Sequence, residues 1–490
     1  MAEYLLGIDI GTSACKTAVF DQTGKVIAQT AAEYPLATPQ PGWAEQNADQ
    51  WWEATAKALR QLWVDISPAQ IAAVGIDGQG WSPVLLDAHG DVLCPTPLWL
   101  DTRATEICNR LRKEEAAHFA LCGNPIQPGY LTPKLAWVRE NMPEVYKQAR
   151  CVLQSNSFIA YRLTGAQYED FSMAYGYHCF DMRRARWDEA ACEVLGVDKK
   201  LLPALARCDS IIGKVTPEAA RVTGLPEGTP VAAGGLDAAC ATFGAGVVAP
   251  GQTQEQGGQA GGLSVCIGEY KADPRLILGL HVVPNCWLLQ GGTTGGGGVM
   301  RWMTAQFGDG QSFAALDALA ATVPPASEGV TFLPYMNGER SPIWNPSAKG
   351  VFYGLDFGKT RAHLFRAALE GAAYALRHNL EVAEAAGASV TEFHAVGGAA
   401  NSRLWMQIKA DVTGKPLHVP SADTAATLGA AMLAGVGVGM YPSCAAAAQA
   451  TVRRGAGYTP DSEHKAAYDA GYQTYLALYA HLKTMMGDSE

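Results

Sequence analysis

The stretch YLLGIDIGTSACKTAVF, residues 4–20, decides how the fold begins. Two short apolar runs, residues 4–10 and 16–20, lie on either side of the turn Gly11-Thr12-Ser13, and a further turn and apolar run follow. Short apolar runs bounded by Gly, Ser and Asp are typical of strands joined by tight turns. The chain is therefore predicted to begin strand, turn, strand, turn, strand, with Asp9 near the end of the first strand.

Strand-like and helical patterns alternate through the first half of the chain. Apolar residues recur at helical spacing from Trp51 to Trp63, and residues 71–76 form another strand-like run before Gly78-Gln79-Gly80. The alternation continues to about residue 245. It predicts a mixed α/β domain.

A Pro/Gly segment at residues 248–251 separates this half from a second one, which again opens with strand-like pieces around a glycine turn, residues 257–262. At 490 residues the chain is also too long for one ordinary core. We therefore predict two related lobes with a cleft between them. The expected units are an N-terminal domain at residues 1–246 and a C-terminal domain at residues 247–490.

The composition narrows the class of partner. A net charge of -10 argues against nucleic acid or a membrane surface as a partner, because both are anionic.

The twelve cysteines are scattered without a C-x-x-C pair, which is typical of buried thiols in a reducing compartment. No basic segment precedes a long apolar run at the N-terminus, and no apolar run approaches the ~20 residues of a membrane span. We expect a cytoplasmic protein.

Several nucleotide and hydrolase motifs are absent from the sequence. No G-x-G-x-x-G follows a strand-like run, which leaves a dinucleotide site unsupported. Gly358-Lys359-Thr360 resembles the end of a P-loop, but Tyr353 stands where the first glycine is required. No G-x-S-x-G, H-E-x-x-H or paired Cys/His spacing occurs either. Acidic residues and glycine turns remain as candidates for the chemistry.

Asp9 precedes a turn whose successive backbone N–H groups could form a concave anion site. A carboxylate beside such a turn can hold hydrated Mg²⁺, which takes one or two carboxylates together with water and phosphate oxygens. A strand leading into an ordinary hairpin explains the same residues, and both interpretations stay open.

Asp237 is the single charge in a run of small residues, GGLDAACATFGAG at 234–246. Burying an isolated carboxylate among small apolar neighbours costs free energy unless it has a partner or a role. The residue could instead cap the helix expected to begin there. The setting favours a catalytic or binding carboxylate, with helix capping as the alternative.

The segment VGGAANS at 396–402 has the pattern of a strand, a glycine turn and the start of a helix. Backbone without side chains could approach a flat ligand such as adenine closely here. A tight β-to-α turn capped by Asn401 or Ser402 explains the segment equally well.

Together these segments resemble the FGGY family of carbohydrate kinases, in the family's order and over nearly the whole chain. The opening turn is similar to the family's first phosphate loop. Residues 350–355, GVFYGL, followed by His363-Leu364 and residues 367–370, are similar to its C-terminal signature. Further similar segments are WLDTR at 99–103, PKLAW at 133–137, FLPY at 332–335 and GERSP at 338–342.

The resemblance implies an α/β protein with the two-lobed actin/hexokinase-like (ribonuclease-H-like) ATPase fold and an interdomain cleft. The sugar would lie mainly on the first lobe and ATP mainly on the second. The implied activity is ATP-dependent phosphorylation of a small sugar hydroxyl, with ATP and Mg²⁺ as cofactors. The branches that phosphorylate xylulose and gluconate are the most similar. D-xylulose, giving D-xylulose 5-phosphate, is the expected substrate, and gluconate, another sugar acid or a polyol is the alternative.

Motif position also implies the site residues. Asp237 would be the catalytic base, and Asp9 and Asp237 would hold the metal, as phosphoryl transfer requires. The implied substrate-binding residues are Gln79, Gly80, Trp81, Asp101 and Asp237. The implied ATP-binding residues are Gly11, Thr12, Ser13, Lys16, Gly258, Gln259, Gly297, Gly298, Gly397, Gly398 and Asn401.

The sequence departs from the family pattern at three places. Gly80-Trp81 replaces the Met-His pair usual in the xylulose branch, and an indole donates one hydrogen bond where an imidazole can also accept one. Gly258-Gln259-Ala260-Gly261 replaces Gly-Thr-Ser-Gly in the second phosphate turn, with Gln259 as a substitute donor. Leu131 stands where a small or hydroxylated residue is preferred. The glycine run at 291–298 is closer to the gluconate branch.

Two other functions remain as alternatives. One is an actin- or chaperone-like ATPase without sugar kinase activity, and the other is a kinase-like protein that binds sugar but turns over poorly. The expected partner is a small-molecule sugar, with no nucleic acid and no membrane. The oligomeric state stays open, with a homodimer as one alternative.

Overall fold

The structure is a computed structural model that describes residues 3–420 and 424–487, apart from the side chains of residues 114 and 115. In the first half the strands are β1 (Tyr4–Ile10), β2 (Ala14–Phe20), β3 (Val26–Glu33), β4 (Glu45–Gln46), β5 (Ile71–Gly78), β6 (Val84–Leu86), β7 (Thr96–Pro97), β8 (Cys151–Leu153), β9 (Tyr168–Asp170), β10 (Phe180–Asp181), β11 (Arg186–Trp187), β12 (Ala204–Ala206), β13 (Ile211–Lys214), β14 (Pro230–Ala232) and β15 (Gly235–Leu236). The helices there are α1 (Ala48–Leu62), α2 (Thr105–Leu111), α3 (Glu115–Cys122), α4 (Leu131–Asn141), α5 (Pro143–Gln148), α6 (Ser155–Thr164), α7 (Phe171–Ala174), α8 (Glu189–Leu195), α9 (Pro217–Thr223) and α10 (Asp237–Gly244).

In the second half the strands are β16 (Gln252–Gly257), β17 (Gly261–Ile267), β18 (Ile277–Leu280), β19 (Trp287–Thr293), β20 (Thr331–Leu333), β21 (Val351–Tyr353), β22 (Glu392–Val396), β23 (Leu417–Pro420) and β24 (Arg454–Tyr458). The helices are α11 (Gly297–Phe307), α12 (Phe313–Ala320), α13 (Arg361–Ala385), α14 (Arg403–Thr413), α15 (Ala425–Gly437), α16 (Cys444–Thr451) and α17 (Lys465–Leu482). Within the described residues, no helix combines the length and the apolar character that crossing a membrane requires.

The first large sheet has the strand order β13-β14-β5-β1-β2-β3, with β15 beside β5. Strands β1, β2 and β3 pair antiparallel, whereas β5 runs parallel to β1, β14 and β15. Strand β1 is buried along almost its whole length, as its continuous apolar run indicates for a central strand. The predicted opening of three consecutive strands is confirmed.

The second large sheet has the order β18-β19-β17-β16-β22-β23-β24. It repeats the plan of the first sheet, because β16 pairs antiparallel with β17 across the glycine turn and parallel with β22 on its other side. The prediction that both halves begin with a strand, a glycine-bearing turn and a strand is confirmed.

Helix α15 connects the two halves. A Cβ atom added at Gly7 in β1 or at Gly75 in β5 would overlap backbone carbonyl oxygens of α15, those of Thr427 and Ala430. A Cβ at Gly429 would likewise overlap backbone of α10. A helix from the second half thus packs directly on the first sheet and on α10. The domain boundary between residues 246 and 247 remains a prediction. The predicted division assigns α15 to the C-terminal domain and does not include its packing on the first sheet.

Candidate active site

Three carboxyl groups converge at one edge of the first sheet. Asp9 in β1 pairs with Asp77 in the parallel strand β5, and Gly235 of β15 pairs with Asp77 from the other side. Asp237 directly follows β15 as the first residue of α10. Because the carboxyl ends of parallel strands meet at one edge of a sheet, the fold brings Asp9, Asp77 and Asp237 together.

Asp77 is fully buried, and within the described part of the chain neither of its carboxyl oxygens has a hydrogen-bond donor group. Its side chain meets the carboxyl group of Asp9, which is 6% exposed. Burial, and then the charges of Asp9 and Asp237, raise the pKa of Asp77 well above its ordinary value. Two carboxyl groups can share a hydrogen bond only when one is protonated, and Asp77 is the group that keeps the proton.

Asp9 also faces a cation. Lys16 Nζ lies 3.4 Å from Asp9 Oδ2, at the end of a side chain that is 63% exposed. Burial raises the pKa of Asp9, and the positive charge of Lys16 acts in the opposite direction. Of the two carboxyl groups, Asp9 is therefore the one that ionises more readily, and it lies next to the exposed Lys16 ammonium group.

Asp237 is half-buried and accepts a hydrogen bond of 2.6 Å from the backbone N–H of Ala238. Burial, and then the charge of Asp9, raise the pKa of Asp237 to about 7, although the Ala238 hydrogen bond and Lys16 lower it. A carboxylate with a pKa near the working pH is suited to accept a proton from a hydroxyl and release it again.

The first glycine turn is held by buried amides. Thr12 Oγ1 donates to Gln79 Oε1 over 3.2 Å and accepts from Trp99 Nε1. Gln79 Nε2 donates to the carbonyl of Gly11 and to Gln46 Oε1. Gln79 is 1% exposed, so its amide group supports the turn in this structure.

Trp81 has a left-handed backbone, with φ of 63°. A bulky residue in this region is strained and is held there by its surroundings. The indole stacks on Tyr130 with ring centroids 4.4 Å apart, and a Cβ at Gly176 would overlap it. Lys134 Nζ donates to the carbonyl of Trp81 over 3.1 Å. The buried indole N–H packs against Gly176 and has no acceptor among the described residues, which leaves one donor unpaired beside Gly80.

Gly80 and Asp101 lie in different surroundings. A Cβ at Gly80 would lie 2.8 Å from Leu236 Cδ1, so the glycine lies against the segment that precedes Asp237. Asp101 is fully buried, and accepts from Arg103 Nε over 2.9 Å and from the N–H of Ala44 over 2.7 Å. The carboxylate of Asp101 is thus held by Arg103 of its own loop and by Ala44 of a distant segment.

The second glycine turn packs against the start of α11. The N–H of Gly297 donates to the carbonyl of Gly258 over 2.8 Å, and the N–H of Gly298 donates to the carbonyl of Gln259 over 2.9 Å. A Cβ at Gly296 would overlap the backbone of Ala260. The four ATP-binding residues predicted on these two loops are therefore brought together.

The predicted adenosine segment lies beside the same turn. Gly397 has φ of 91°, and a Cβ there would lie 2.8 Å from the carbonyl oxygen of Gly257. Gly398 and Asn401 bound the 3-10 turn Gly398–Asn401, and Ser402 caps α14 by accepting from the N–H of Trp405. The cap expected at Asn401 or Ser402 is thus Ser402, and Gly397 lies against Gly257 at the end of β16.

Sequence reasoning missed Asp77, although a signal was present. The acid follows the apolar run at residues 71–76, as Asp9 follows the run that begins at residue 4. It also missed Lys134 and Tyr130, which hold Trp81. Their role depends on contacts between distant segments, for which a single sequence carries no local signal.

Comparisons with known proteins agree with this geometry. Residues 4–244 match the N-terminal domain of the FGGY family of carbohydrate kinases, and residues 270–438 match its C-terminal domain. The chain is 32% identical to the xylulose kinase of Bacillus subtilis (strain 168) over 489 residues, which covers 99% of this chain and 98% of that protein. The chain therefore belongs to the FGGY family of carbohydrate kinases.

Solved structures extend the match to the fold. The crystal structure of xylulose kinase from Rhodospirillum rubrum has a TM-score of 0.93 at 32% identity, covering 99% of this chain and 100% of that one. Gluconate kinase from Lactobacillus acidophilus has a TM-score of 0.93 at 25% identity, covering 99% of both chains.

The protein is an ATP-dependent carbohydrate kinase with a two-domain, actin-like α/β fold. As a kinase of this family it uses ATP as co-substrate and a small-molecule sugar as acceptor. The resemblance, fold class and enzyme class expected from the sequence are confirmed. The matches favour the kinase over the actin- or chaperone-like alternative.

Proposed function

We propose that the protein transfers the γ-phosphoryl group of ATP to D-xylulose, giving D-xylulose 5-phosphate, with Asp237 as the base. The observation that carries the proposal is the position of Asp237, half-buried at the sheet edge beside Asp9, with its pKa raised to about 7. Relatives that match over nearly the full length and carry the name xylulose kinase support the substrate.

Asp237 would accept the proton of the attacking sugar hydroxyl as the phosphoryl group is transferred. Its neighbour Asp9 stays ionised and so disfavours a second negative charge on Asp237, which keeps Asp237 ready to take up a proton. Closure of two lobes around the substrates would align them and exclude water, which limits wasteful hydrolysis of ATP.

The acidic edge fits Mg²⁺. Among the described residues no group of three or more His, Cys, Asp or Glu could hold a metal ion, and Mg²⁺ needs only one or two carboxylates because water and phosphate complete its shell. Asp9 and Asp237 would supply these oxygens. The bound ion would neutralise charge that develops on the phosphoryl oxygens.

ATP would lie between the glycine turns of the two lobes. Gly11, Thr12, Ser13 and Lys16 would face its terminal phosphates from the first lobe, with backbone N–H groups as donors. Gly258, Gln259, Gly297 and Gly298 would approach from the second lobe. Gly397, Gly398 and Asn401 would lie against the adenosine. The close packing of these second-lobe segments supports one continuous nucleotide surface.

The sugar would bind at Gly80 and Trp81. The unpaired indole N–H supplies a donor for a sugar oxygen, and Gly80 lies against the segment that carries Asp237. Gln79 and Asp101 would contact the sugar only by giving up their present hydrogen-bond partners. We therefore propose that both residues mainly shape the site.

Gluconate or another sugar acid is the second candidate, since the gluconate kinase structure matches as well in fold as the xylulose kinase structure. A panel of ketopentoses, alditols and aldonates in an ADP-release assay decides between them. The proposal expects D-xylulose to give the highest kcat/KM. Preference for an aldonate would replace the substrate assignment, and no stimulation by any sugar would overturn the proposed function.

We also propose a reducing cytoplasm as the compartment, because all twelve cysteines lie among the described residues, buried and outside any disulfide. Sedimentation velocity on the purified chain would distinguish a 51.9 kDa monomer from the homodimer kept as an alternative.

A further inference from the structure

The residue directly before Asp237 is held by a serine from a distant segment. The backbone N–H of Leu236 donates to Ser172 Oγ over 2.9 Å, and the Ser172 hydroxyl donates to Asp170 Oδ1 over 2.6 Å. Ser172 and Asp170 are both fully buried. A relay of two side chains therefore connects α7 to the peptide that carries the base.

Asp170 is itself fixed in place. Its Oδ2 accepts from Asn156 Nδ2 over 2.8 Å, and its Oδ1 accepts from the backbone N–H groups of Ser172 and Met173 at the start of α7. A carboxylate that accepts several hydrogen bonds has little freedom to move. Because the Ser172 hydroxyl hydrogen points at Asp170, the oxygen of the hydroxyl is left to accept from the N–H of Leu236.

The N–H of Leu236 is the one nearest to Asp237 that Ser172 holds, whereas the N–H groups of Ala233 and Gly234 donate to the carbonyls of Ser210 and Cys208. Strand β15 is two residues long and pairs with β5 only through Gly235 and Leu236. A Cβ at Gly235 would lie 2.6 Å from Ser172 Oγ, so the serine side chain lies directly against this short strand. The serine hydroxyl therefore contacts both residues of the strand that leads directly into Asp237.

We propose that Ser172, oriented by Asp170, is a positioning residue for the catalytic base. This inference rests on the proposed role of Asp237. The hydroxyl fixes the Leu236 peptide so that the Asp237 carboxylate stands within reach of the attacking sugar hydroxyl. Neither side chain has to touch sugar or ATP for this effect.

The test is Ser172→Ala in the full-length protein, assayed with D-xylulose or the best sugar of the panel. Displacing a catalytic group by about 1 Å can cost about 100-fold in rate, so we expect kcat to fall by about 10- to 100-fold. The KM values for sugar and ATP should change by less than about threefold.

Thr223→Ala is the matched control. Thr223 is also fully buried, donates its hydroxyl to the carbonyl of Ala219, and accepts from the N–H of Leu225. It lies at the end of α9 and is assigned no part in the site. Each variant loses a hydroxyl that donates one hydrogen bond and accepts another from a backbone N–H. A similar fall in Tm in both variants, with kcat lowered only in Ser172→Ala, supports positioning. Equal kcat for the two variants would overturn it.

Asp237→Asn separates this inference from the proposed function. If Asp237→Asn retains full activity, the proposed base is wrong. If it loses activity while Ser172→Ala turns over normally, only the positioning role fails. In the Asp237→Asn background, adding Ser172→Ala should lower the residual rate by less than about twofold, because the serine acts through Asp237. Should Ser172→Ala not fold, Ser172→Cys keeps the volume with weaker hydrogen bonding and replaces it throughout.

Discussion

Asp77 and Asp9 face each other from adjacent parallel strands, and their carboxyl groups meet with no donor group from the described residues on either oxygen of Asp77. The contact requires a proton, and burial places that proton on Asp77. The arrangement leaves one negative charge on the pair, at Asp9. It also explains how a fully buried carboxyl group is tolerated beside the first glycine turn.

Asp77→Asn should preserve the contact, because an amide N–H can donate to Asp9 as the carboxylic acid does. We expect kcat/KM within about threefold of the original protein, whereas Asp77→Leu removes the donor and should lower kcat/KM by at least about tenfold. Steady-state kinetics on both variants checks this. Equal loss in both would show that the group acts as an ionised carboxylate.

The same pair predicts a pH dependence of stability. The pKa of Asp77 in the folded protein is raised above its ordinary 3.8. The contribution of Asp77 to the free energy of unfolding is therefore fully present below pH 3.8 and is lost as the pH rises toward the folded-state pKa. Asp77→Asn removes this loss. The Tm advantage of the variant should therefore be larger at about pH 8 than at about pH 5. An advantage that grows toward acid pH would contradict the assignment.

The pKa of about 7 for Asp237 predicts the pH profile of the reaction. The base works only when deprotonated, so kcat/KM should rise with pH and level off above about pH 8. The midpoint of the kcat/KM profile reports the pKa of Asp237 in the free enzyme, where burial and the charge of Asp9 raise it. A rate profile taken at constant ionic strength checks the prediction, and a profile that is flat between about pH 5 and pH 9 would remove Asp237 as the titrating base.

Trp81→Phe should test the sugar contact. Phenylalanine keeps the stacking on Tyr130 but lacks the indole N–H, for which the described part of the chain provides no acceptor. Losing one hydrogen bond should raise the sugar KM by about fivefold to tenfold, with the ATP KM unchanged. An unchanged sugar KM would place the substrate elsewhere.

Gly297→Ala should test the proposal that the second glycine turn, residues 257–262, binds ATP together with the start of α11. The added Cβ would lie 2.7 Å from the carbonyl oxygen of Gly258, so the two loops must move apart. Overpacking of this kind costs about 1–3 kcal/mol, which predicts a rise in the ATP KM of about tenfold without a change in the sugar KM. Equal effects on both substrates would indicate a general disturbance of the lobe.

Much of this account could be predicted from the sequence because the signals are local. The strands around Gly11 and the second glycine turn follow from apolar runs and turn residues, and Asp237 is conspicuous among small neighbours. Asp77 carried the same signal as Asp9. The relay from Ser172 to Leu236 joins residues 64 positions apart. Its partners are chosen by tertiary packing, which no local pattern encodes.

The most direct test of the central claim is sugar-stimulated ADP release by the original protein and by Asp237→Asn, measured side by side with Tm. We expect strong stimulation by D-xylulose in the original protein. We also expect a loss of at least about 100-fold in kcat for Asp237→Asn, with the fold retained. ATP turnover that ignores sugar, or that survives the loss of the Asp237 carboxylate, would contradict it.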